Sequence, residues 1–522
     1  MSSFKNPILP GFYPDPSCIR VGDTFYMVTS SFQFFPGIPI HMSKDLVNWE
    51  IIGNAINRPS QLDLSSATTK INNPSRREIF TGGIYAPTIR YHKGSFYIVC
   101  TMLSGSEDMR PDEDFHPTNF IITSDDLHNP DSFSELIYFD FHGIDPSLVF
   151  DDDGKVYLQG SYIHGYSKTP ATVIRQAQID LATGNLLSNP IDIWTGATGK
   201  VPEGPHIYKK DGWYYLLIAE GGTHRRHKIT MARARDISGP YESCDRNPVL
   251  TAEGSQGIIQ CVGHGDLFQD VMGDWWCVML ARREYGASYP LGRETFLTSV
   301  RWMENEFPVF KPVEIDMLVG KKMAEKSISD EARAVELASP LTLYLRTPDL
   351  DAYRQDAGDT TLMPTATNLA APSGTVTFVG QRQTELDSVA TATLILDDNI
   401  PGDVSYGLTV YKDPFRYVAI EYSTSGRSLS LQLQEAGHDL VTLSSYPIAD
   451  ATLIVLTVTS SVERYIFRAE SITLPSDQHE QLLLGEIPCS AMSGDDFTGT
   501  IYAIYATGDT TPVIIRDFKI SN

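Results

Sequence analysis

The chain is 522 residues long, 42% hydrophobic and 10% aromatic, with a formal charge of −24 and a sequence pI near 4.8. That charge argues against nucleic acid or an anionic membrane surface as partner, and no run of about 18 apolar residues exists to span a bilayer. The length exceeds what a single hydrophobic core holds, so two domains are expected.

Residues 1–7 contain no apolar leader region, so the expectation is a cytoplasmic protein, or a secreted one whose export signal has been removed. The six cysteines form no CxxC pair and no zinc spacing. Cys100 and Cys277 lie in apolar strand-like runs, and all six read as free thiols, as in the cytosol.

Five segments in the first 300 residues look alike: 22–28, 93–99, 153–159, 211–217 and 273–279. Each is a Gly/Asp turn followed by aromatic and apolar strand residues. They recur at intervals of roughly 60 to 70 residues. After the first four comes a second recurring unit, at 43–49, 124–130, 180–184 and 235–241, which reads as the outer hairpin of the same module. Helical periodicity is weak throughout. Five such units predict a five-bladed β-propeller.

Three carboxylates stand out against this background. Asp15 lies in Tyr13-Pro14-Asp15-Pro16-Ser17, Asp145 in Gly143-Ile144-Asp145-Pro146-Ser147, and Glu203 in Pro202-Glu203-Gly204-Pro205-His206. Each sits among prolines, which stiffen the backbone and disfavour helix, and each lies just before a repeated strand. Alone, such a motif reads first as a surface carboxylate in a proline turn. Their shared phase in three different blades predicts that they meet at one end of the propeller axis. Three close carboxylates can hold a divalent cation. They can also cleave a glycosidic bond, with one acid, one base about 6.5–9.5 Å away, and a third charge that keeps the acid protonated.

Four other signals read more plainly. Asp151-Asp152-Asp153-Gly154 lacks the ligand spacing of a calcium loop and reads as a hairpin turn. His224-Arg225-Arg226-His227 reads as a solvated basic loop, with a place on the pocket rim as the alternative, Trp275-Trp276 as blade core, and Phe34 and Phe35 as packing residues. From 310 to 340 the chain becomes charged and Ala-rich, a connector with a helical turn or two. Beyond it, 429–434 alternates strictly, and 406–411, 417–422, 453–458 and 513–520 are further strand-like runs. The expected organisation is all-β: a propeller over 1–318, a linker over 319–340, and a β-sandwich of concanavalin-like jelly-roll type over 341–522.

The ordered set of three carboxylate motifs resembles the signature of glycoside hydrolase family 43. The resemblance continues into the sandwich through Tyr344-Leu345-Arg346-Thr347-Pro348 and 378–383. It implies an inverting five-bladed enzyme with Asp15 as general base, Glu203 as general acid and Asp145 tuning and orienting the acid. Residue by residue, it implies that Arg293 hydrogen-bonds the sugar, a surface ion pair being the plainer reading. Phe32 belongs to a loop that walls the pocket, and Phe497 to a sandwich loop that closes it. His264 sits on the axis, either as a hydrogen-bonded core histidine or as the neighbour of a bound cation. Tyr85 stands where the family's β-xylosidases commonly carry tryptophan, which leaves the exact sugar open.

The function expected from this resemblance is an exo-glycosidase releasing terminal pentoses from xylan-derived oligosaccharides, a β-1,4-xylosidase with α-L-arabinofuranosidase activity. Its substrates would be xylo-oligosaccharides or arabinoxylan fragments, with no required cofactor, room for a structural calcium ion, and an oligomer allowed. The alternatives are an α-L-arabinofuranosidase that debranches arabinoxylan and a carbohydrate-binding protein that has lost catalysis. A fructan hydrolase of similar architecture is disfavoured because the Asn-Asp-Pro-Asn motif is missing.

Overall fold

In the computed structural model, each of the five look-alike segments supplies the second strand of an antiparallel sheet. The structure describes residues 2–73, 78–105, 116–165, 168–319, 332–397, 402–448 and 450–521, apart from 475 and 477. Blade I runs from Ser17–Val21 to Glu50–Ile56, blade II from Gly83–His92 to Ile137–Phe139, and blade III from Gly143–Phe150 to Ile191–Trp194. Blade IV runs from Glu203–Lys210 to Glu242–Ser243, with Leu250–Thr251 as an added short strand, and blade V from Ile259–Gln269 to Val309–Phe310. The five first strands pack against one another in order around an axis. This is the five-bladed propeller.

The repeats mark turns with a physical reason. Lys93-Gly94 (φ 50° and 90°) and Asp211-Gly212 (φ 54° and 71°) are left-handed pairs, the geometry that lets a two-residue hairpin follow the twist of its strands. The second recurring unit joins the third strand to the fourth. There the Oδ1 atoms of Asp45, Asp126, Asp180 and Asp236 each accept the N–H two residues on, at 2.9–3.0 Å. The 151–154 stretch is a tight hairpin turn, closed by Gly154 N–H to the Asp151 carbonyl at 3.0 Å. Trp276 is 2% exposed between blades V and I, and Trp275 packs on Trp302. Both belong to the blade core. Ser2–Lys5 pairs with Asp316–Val319, so the start of the propeller is tied to its end.

The remainder is a sandwich of two large antiparallel sheets with the main apolar core between them. One sheet is built around Val513–Ser521 and Ser388–Ile395, the other around Val404–Asp413 and Ile501–Gly508. The second sheet ends on a strand that is not its own. Phe34–Phe35, from the loop of blade I, pairs with Leu343–Leu345. Both phenylalanines are buried, and they carry the packing of the first domain into the sheet of the second. Residues 320–331, where the sequence predicts a helical turn, lie outside the described residues, and Arg333–Ala334 forms a short strand on Val513–Ser521.

Candidate active site

At one level of each first strand the backbone turns left-handed: φ is 55° at Asp15, 39° at Ala86, 55° at Asp145, 56° at Gly204 and 47° at His264. In blades II to V the pairing with the second strand slips there, a β-bulge that re-aims the side chain. A proline follows in blades I to IV. It has no N–H, so the broken ladder leaves no donor unpaired. Asp15 and Asp145 occupy the left-handed position itself. Glu203 does not: Gly204 takes that position in blade IV, and Glu203 lies one residue earlier. The single phase expected for three carboxylates therefore holds for two, and Asp145 and Glu203 sit inside their strands rather than ahead of them.

Directly beneath, all five blades contribute to one polar network. Arg90 donates to Asp266 Oδ2 and to His206 Nδ1, both at 2.9 Å. Ser17 Oγ donates to Asp266 Oδ2 at 2.7 Å, Ser147 Oγ to His206 Nδ1 at 3.0 Å, and Tyr208 Oη to Asp266 Oδ1 at 2.5 Å. Burial and then Arg90 drive His206 down to about 3, so its ring is neutral and its Nδ1 accepts. Burial pushes the Asp266 carboxyl up, but Arg90, His206 and the hydroxyls more than offset it, leaving it at about 2. Ser17, Ser147, His206 and Asp266 each stand two residues past a left-handed position. The network therefore fixes the spacing of the groups above it.

Above the network lies a cavity of about 370 Å³, the lower end of the range for ligand sites. It is lined by Asp15, Tyr85, Asp145, Glu203, His264, Arg293 and Phe497, with Phe80, Val201, Thr223 and His224 among the others. Asp15, Asp145 and Glu203 are each 5–6% exposed. Asp15 Oδ2 accepts Ser30 Oγ–H at 2.6 Å, while His264 Nδ1 and Arg293 Nη1 face its Oδ1 at 3.5 and 3.9 Å. Asp145 Oδ2 accepts the Gly204 N–H at 2.9 Å, which ties blade III to the strand that carries Glu203.

Burial and the charge of Asp145 push the Glu203 carboxyl well above its usual range, with Asp15 adding to the push and Arg293 opposing it. Burial and Asp15 bring Asp145 to about 6, against His264, the Gly204 N–H and Arg293. Of the pair, Glu203 is therefore the member pushed toward holding its proton, beside an Asp145 raised to about 6. The arrangement sets one proton donor beside an anion, with a third carboxylate on a non-adjacent blade.

One wall is aromatic and comes from both domains. Phe497, from the sandwich, stacks on Phe32 (centroids 5.8 Å apart, 19° between planes) and meets Tyr85 edge-on at 5.6 Å. The Arg293 guanidinium lies 4.6 Å from the centre of the Phe497 ring. Arg293 lines the cavity, and its Nε is buried with no hydrogen-bond partner among the described residues. Phe32 is fully buried and backs the wall. Its loop lies so close to blade II that a Cβ on Gly83 would stand 2.1 Å from the Phe32 carbonyl oxygen.

The solvated-loop expectation for 224–227 is overturned at both ends. His224 lines the cavity, and His227 is 1% exposed, with Nδ1 3.7 Å from Glu203 Oε1. Burial drives His227 down to about 3, so it is neutral, and its Nδ1–H donates to the Gly222 carbonyl at 2.8 Å. Its ring fits only because residue 263 is glycine: a Cβ there would fall 1.9 Å from His227 Cδ2. That pairing joins residues 36 positions apart and leaves no local signature. Phe80, also missed, sits in an unremarkable apolar strand. Among the described residues, no three His, Cys, Asp or Glu side chains are grouped to hold a metal ion.

The chain matches the model of glycosyl hydrolases family 43 over residues 4–308, and that of the beta xylosidase C-terminal concanavalin A-like domain over 343–519. It is 44% identical to a xylosidase/arabinosidase of Butyrivibrio fibrisolvens over 317 residues, which cover 59% of this chain and 56% of that protein. It is 30% identical to a non-reducing end alpha-L-arabinofuranosidase of Bacteroides ovatus over 526 residues, covering 97% of this chain and 92% of the relative. In three dimensions it is similar to the xylan beta-1,4-xylosidase from Bacillus halodurans, with a TM-score of 0.85, 27% identity, and coverage of 99% of this chain and all of that one.

Proposed function

The chain belongs to glycosyl hydrolases family 43 and is a glycoside hydrolase; from that premise we propose that it is an inverting exo-glycosidase. It removes terminal pentoses from xylan-derived oligosaccharides, as a β-1,4-xylosidase with α-L-arabinofuranosidase activity. The observation that carries the reading is the cavity: three buried carboxylates from blades I, III and IV at its floor, and a side closed by Phe497 from the second domain. A wall at that place leaves room for the end of a sugar chain rather than its middle.

In the proposed reaction Glu203 gives its proton to the glycosidic oxygen as the bond to the anomeric carbon breaks. Asp15 takes a proton from the water that attacks that carbon from the opposite face, so configuration inverts. Asp145 keeps Glu203 protonated beforehand and turns blade IV toward it through the Gly204 N–H. Arg293 takes a sugar hydroxyl with its guanidinium, and Tyr85 and Phe497 cover the sugar's apolar face.

The experiment is hydrolysis of p-nitrophenyl β-D-xylopyranoside, p-nitrophenyl α-L-arabinofuranoside, xylobiose and arabinoxylan, with the first-formed anomer read by proton NMR. Xylose released from xylobiose as the α-anomer is the expected result. Release of arabinose from arabinoxylan alone would reassign the enzyme as a debranching arabinofuranosidase, and retained configuration or internal chain cleavage would refute the mechanism.

A further inference from the structure

Beside the cavity, at the seam between the domains, lies a buried cluster of charges that the reaction above does not use. Asp496, 2% exposed at its side chain, meets Lys412 Nζ at 3.0 Å and also meets Arg416 Nη2. Arg416 is shared with Asp413 Oδ2, at 3.0 Å from Nε and 2.5 Å from Nη2. One residue before Asp496, Asp495 accepts from Arg282 Nη2 at 2.8 Å, and Arg282 Nη1 donates to the Gly494 carbonyl at 3.3 Å. Arg282 belongs to the propeller, in the second strand of blade V, and its Nε and Nη2 also hold Glu284 Oε1, at 2.8 and 2.5 Å. Glu284 Oε2 in turn receives Arg225, the neighbour of the cavity residue His224.

Two rims of the cavity therefore converge on one pair of residues. The sandwich rim, ending in Phe497, is anchored to Arg282 through Asp495 and to the body of its own domain through Asp496. The blade IV rim, with Thr223 and His224, is anchored to Glu284 through Arg225. Burial pushes the Asp495 carboxyl up, but Arg282, His224 and Arg225 together hold it below its usual value, so it stays an anion between the two rims. Arg282 and Glu284, each 3% exposed, are buried, whereas Asp495 and Arg225 meet them from the surface at 51% and 65% exposure; a buried pair gives little net stability for its desolvation cost. Their value here is geometric.

We propose that Arg282 and Glu284 form a clasp that sets the width of the sugar pocket, with Asp495 and Arg225 as positioning residues for its Phe497 and His224 rims. The proposal rests on the exo-pentosidase reading. Its readout is the Michaelis constant for a terminal sugar, since the clasp touches neither the reacting atoms nor the three carboxylates.

Asp496 is the wrong place to test it, because Asp496→Asn would leave Lys412 and Arg416 buried with one carboxylate between them. Asp495, with its side chain 51% exposed, can be changed without that penalty. In the full-length enzyme, Asp495→Ala and Arg225→Ala are each expected to raise KM for p-nitrophenyl β-D-xylopyranoside about three- to fivefold. The kcat and melting temperature should stay close to wild type, and Asp495→Glu should restore KM. Phe497→Ala should raise KM further, and the double variant Asp495→Ala/Phe497→Ala should be no worse than Phe497→Ala alone, because Asp495 acts through that ring. KM effects that multiply in the double variant, or single variants that leave KM unmoved while Phe497→Ala raises it, overturn the clasp. A wild-type enzyme that turns over neither p-nitrophenyl pentoside fails the pentosidase reading, and the clasp with it; a wild type that hydrolyses the xyloside with a KM that ignores Asp495 and Arg225 fails the clasp alone.

Discussion

Replacing Asp145 by asparagine separates the role of its charge from that of its shape. The asparagine side chain keeps an oxygen for the Gly204 N–H, which Asp145 holds at 2.9 Å, and removes the titration. Asp145 is raised from 3.8 to about 6, first by burial. A carboxyl raised in the folded state binds its proton more tightly there than in the unfolded chain. The stability this gives is fully present below about pH 4 and is lost as pH rises through about 6. At about 1.4 kcal/mol for each tenfold change in proton affinity, the loss is about 3 kcal/mol. The amide of the Asp145→Asn variant does not titrate, so the variant's stability relative to wild type should climb by about that amount between pH 4 and pH 7.5. The raised Glu203 carboxyl falls when its neighbour is neutral, which adds in the same direction. For 522 residues unfolding together, with an entropy of about 1.1 kcal/mol/K, this amounts to about 3 °C. Thermal unfolding of both proteins at pH 4 and pH 7.5 measures it, and equal differences at the two pH values would refute the electrostatic argument. The pH profile of kcat/KM gives an independent check. Glu203 must be protonated to act, so Asp145→Asn should move the alkaline limb to lower pH, and a limb that stays put would remove the tuning role.

Other substitutions probe the rest of the site. Glu203→Ala should lower kcat on xylobiose by about 10²–10⁴-fold. The loss on p-nitrophenyl xyloside should be smaller, because nitrophenolate leaves without a proton; equal losses on both would remove Glu203 from the acid role. Arg293→Lys keeps the charge but not the fork, and with the guanidinium's directed donors gone KM should rise by about tenfold; an unchanged KM would mean that this guanidinium does not meet the sugar. Gly263→Ala puts a methyl 1.9 Å from His227 Cδ2. It should cost about 1–3 kcal/mol in unfolding experiments and raise KM by displacing the Gly222 rim, and a variant with native Tm and KM would show that His227 does not brace that rim.

The parts of this architecture that were readable in the sequence have local causes. The five second strands announce themselves because each follows a tight turn with a left-handed glycine, at Gly22, Gly94, Gly154, Gly212 and Gly273, and the carboxylates stand out because each has proline beside it. The one-residue offset of Glu203 was invisible, since only the backbone shows that Gly204 takes the left-handed place. His227 was misread because two adjacent arginines make its loop look solvated, while the glycine that admits its ring is 36 residues away. The pairing of Phe34–Phe35 with Leu343–Leu345 joins residues about 310 positions apart, and nothing local to a Phe-Phe pair distinguishes a strand of another domain's sheet from ordinary packing.

The seam between the domains sets Arg293 and the phenylalanine that covers it as one unit. Gly292 directly precedes Arg293, and Gly499 lies two residues beyond Phe497. A Cβ on Gly292 would stand 2.6 Å from the Thr498 carbonyl oxygen, and one on Gly499 would stand 2.2 Å from that of Leu291. Thr500 N–H reaches the Pro290 carbonyl at 2.9 Å, and Tyr289 N–H reaches Ser493 Oγ at 2.8 Å. Two backbones in such contact leave no space for either segment to slide against the other. Arg293 and Phe497 are then placed by one contact rather than by two independent domains, at a 4.6 Å separation on one side of the cavity. The sandwich therefore belongs to the candidate site, since without its loop the propeller would keep its carboxylates but lose the Phe497 wall on which the proposed exo action rests.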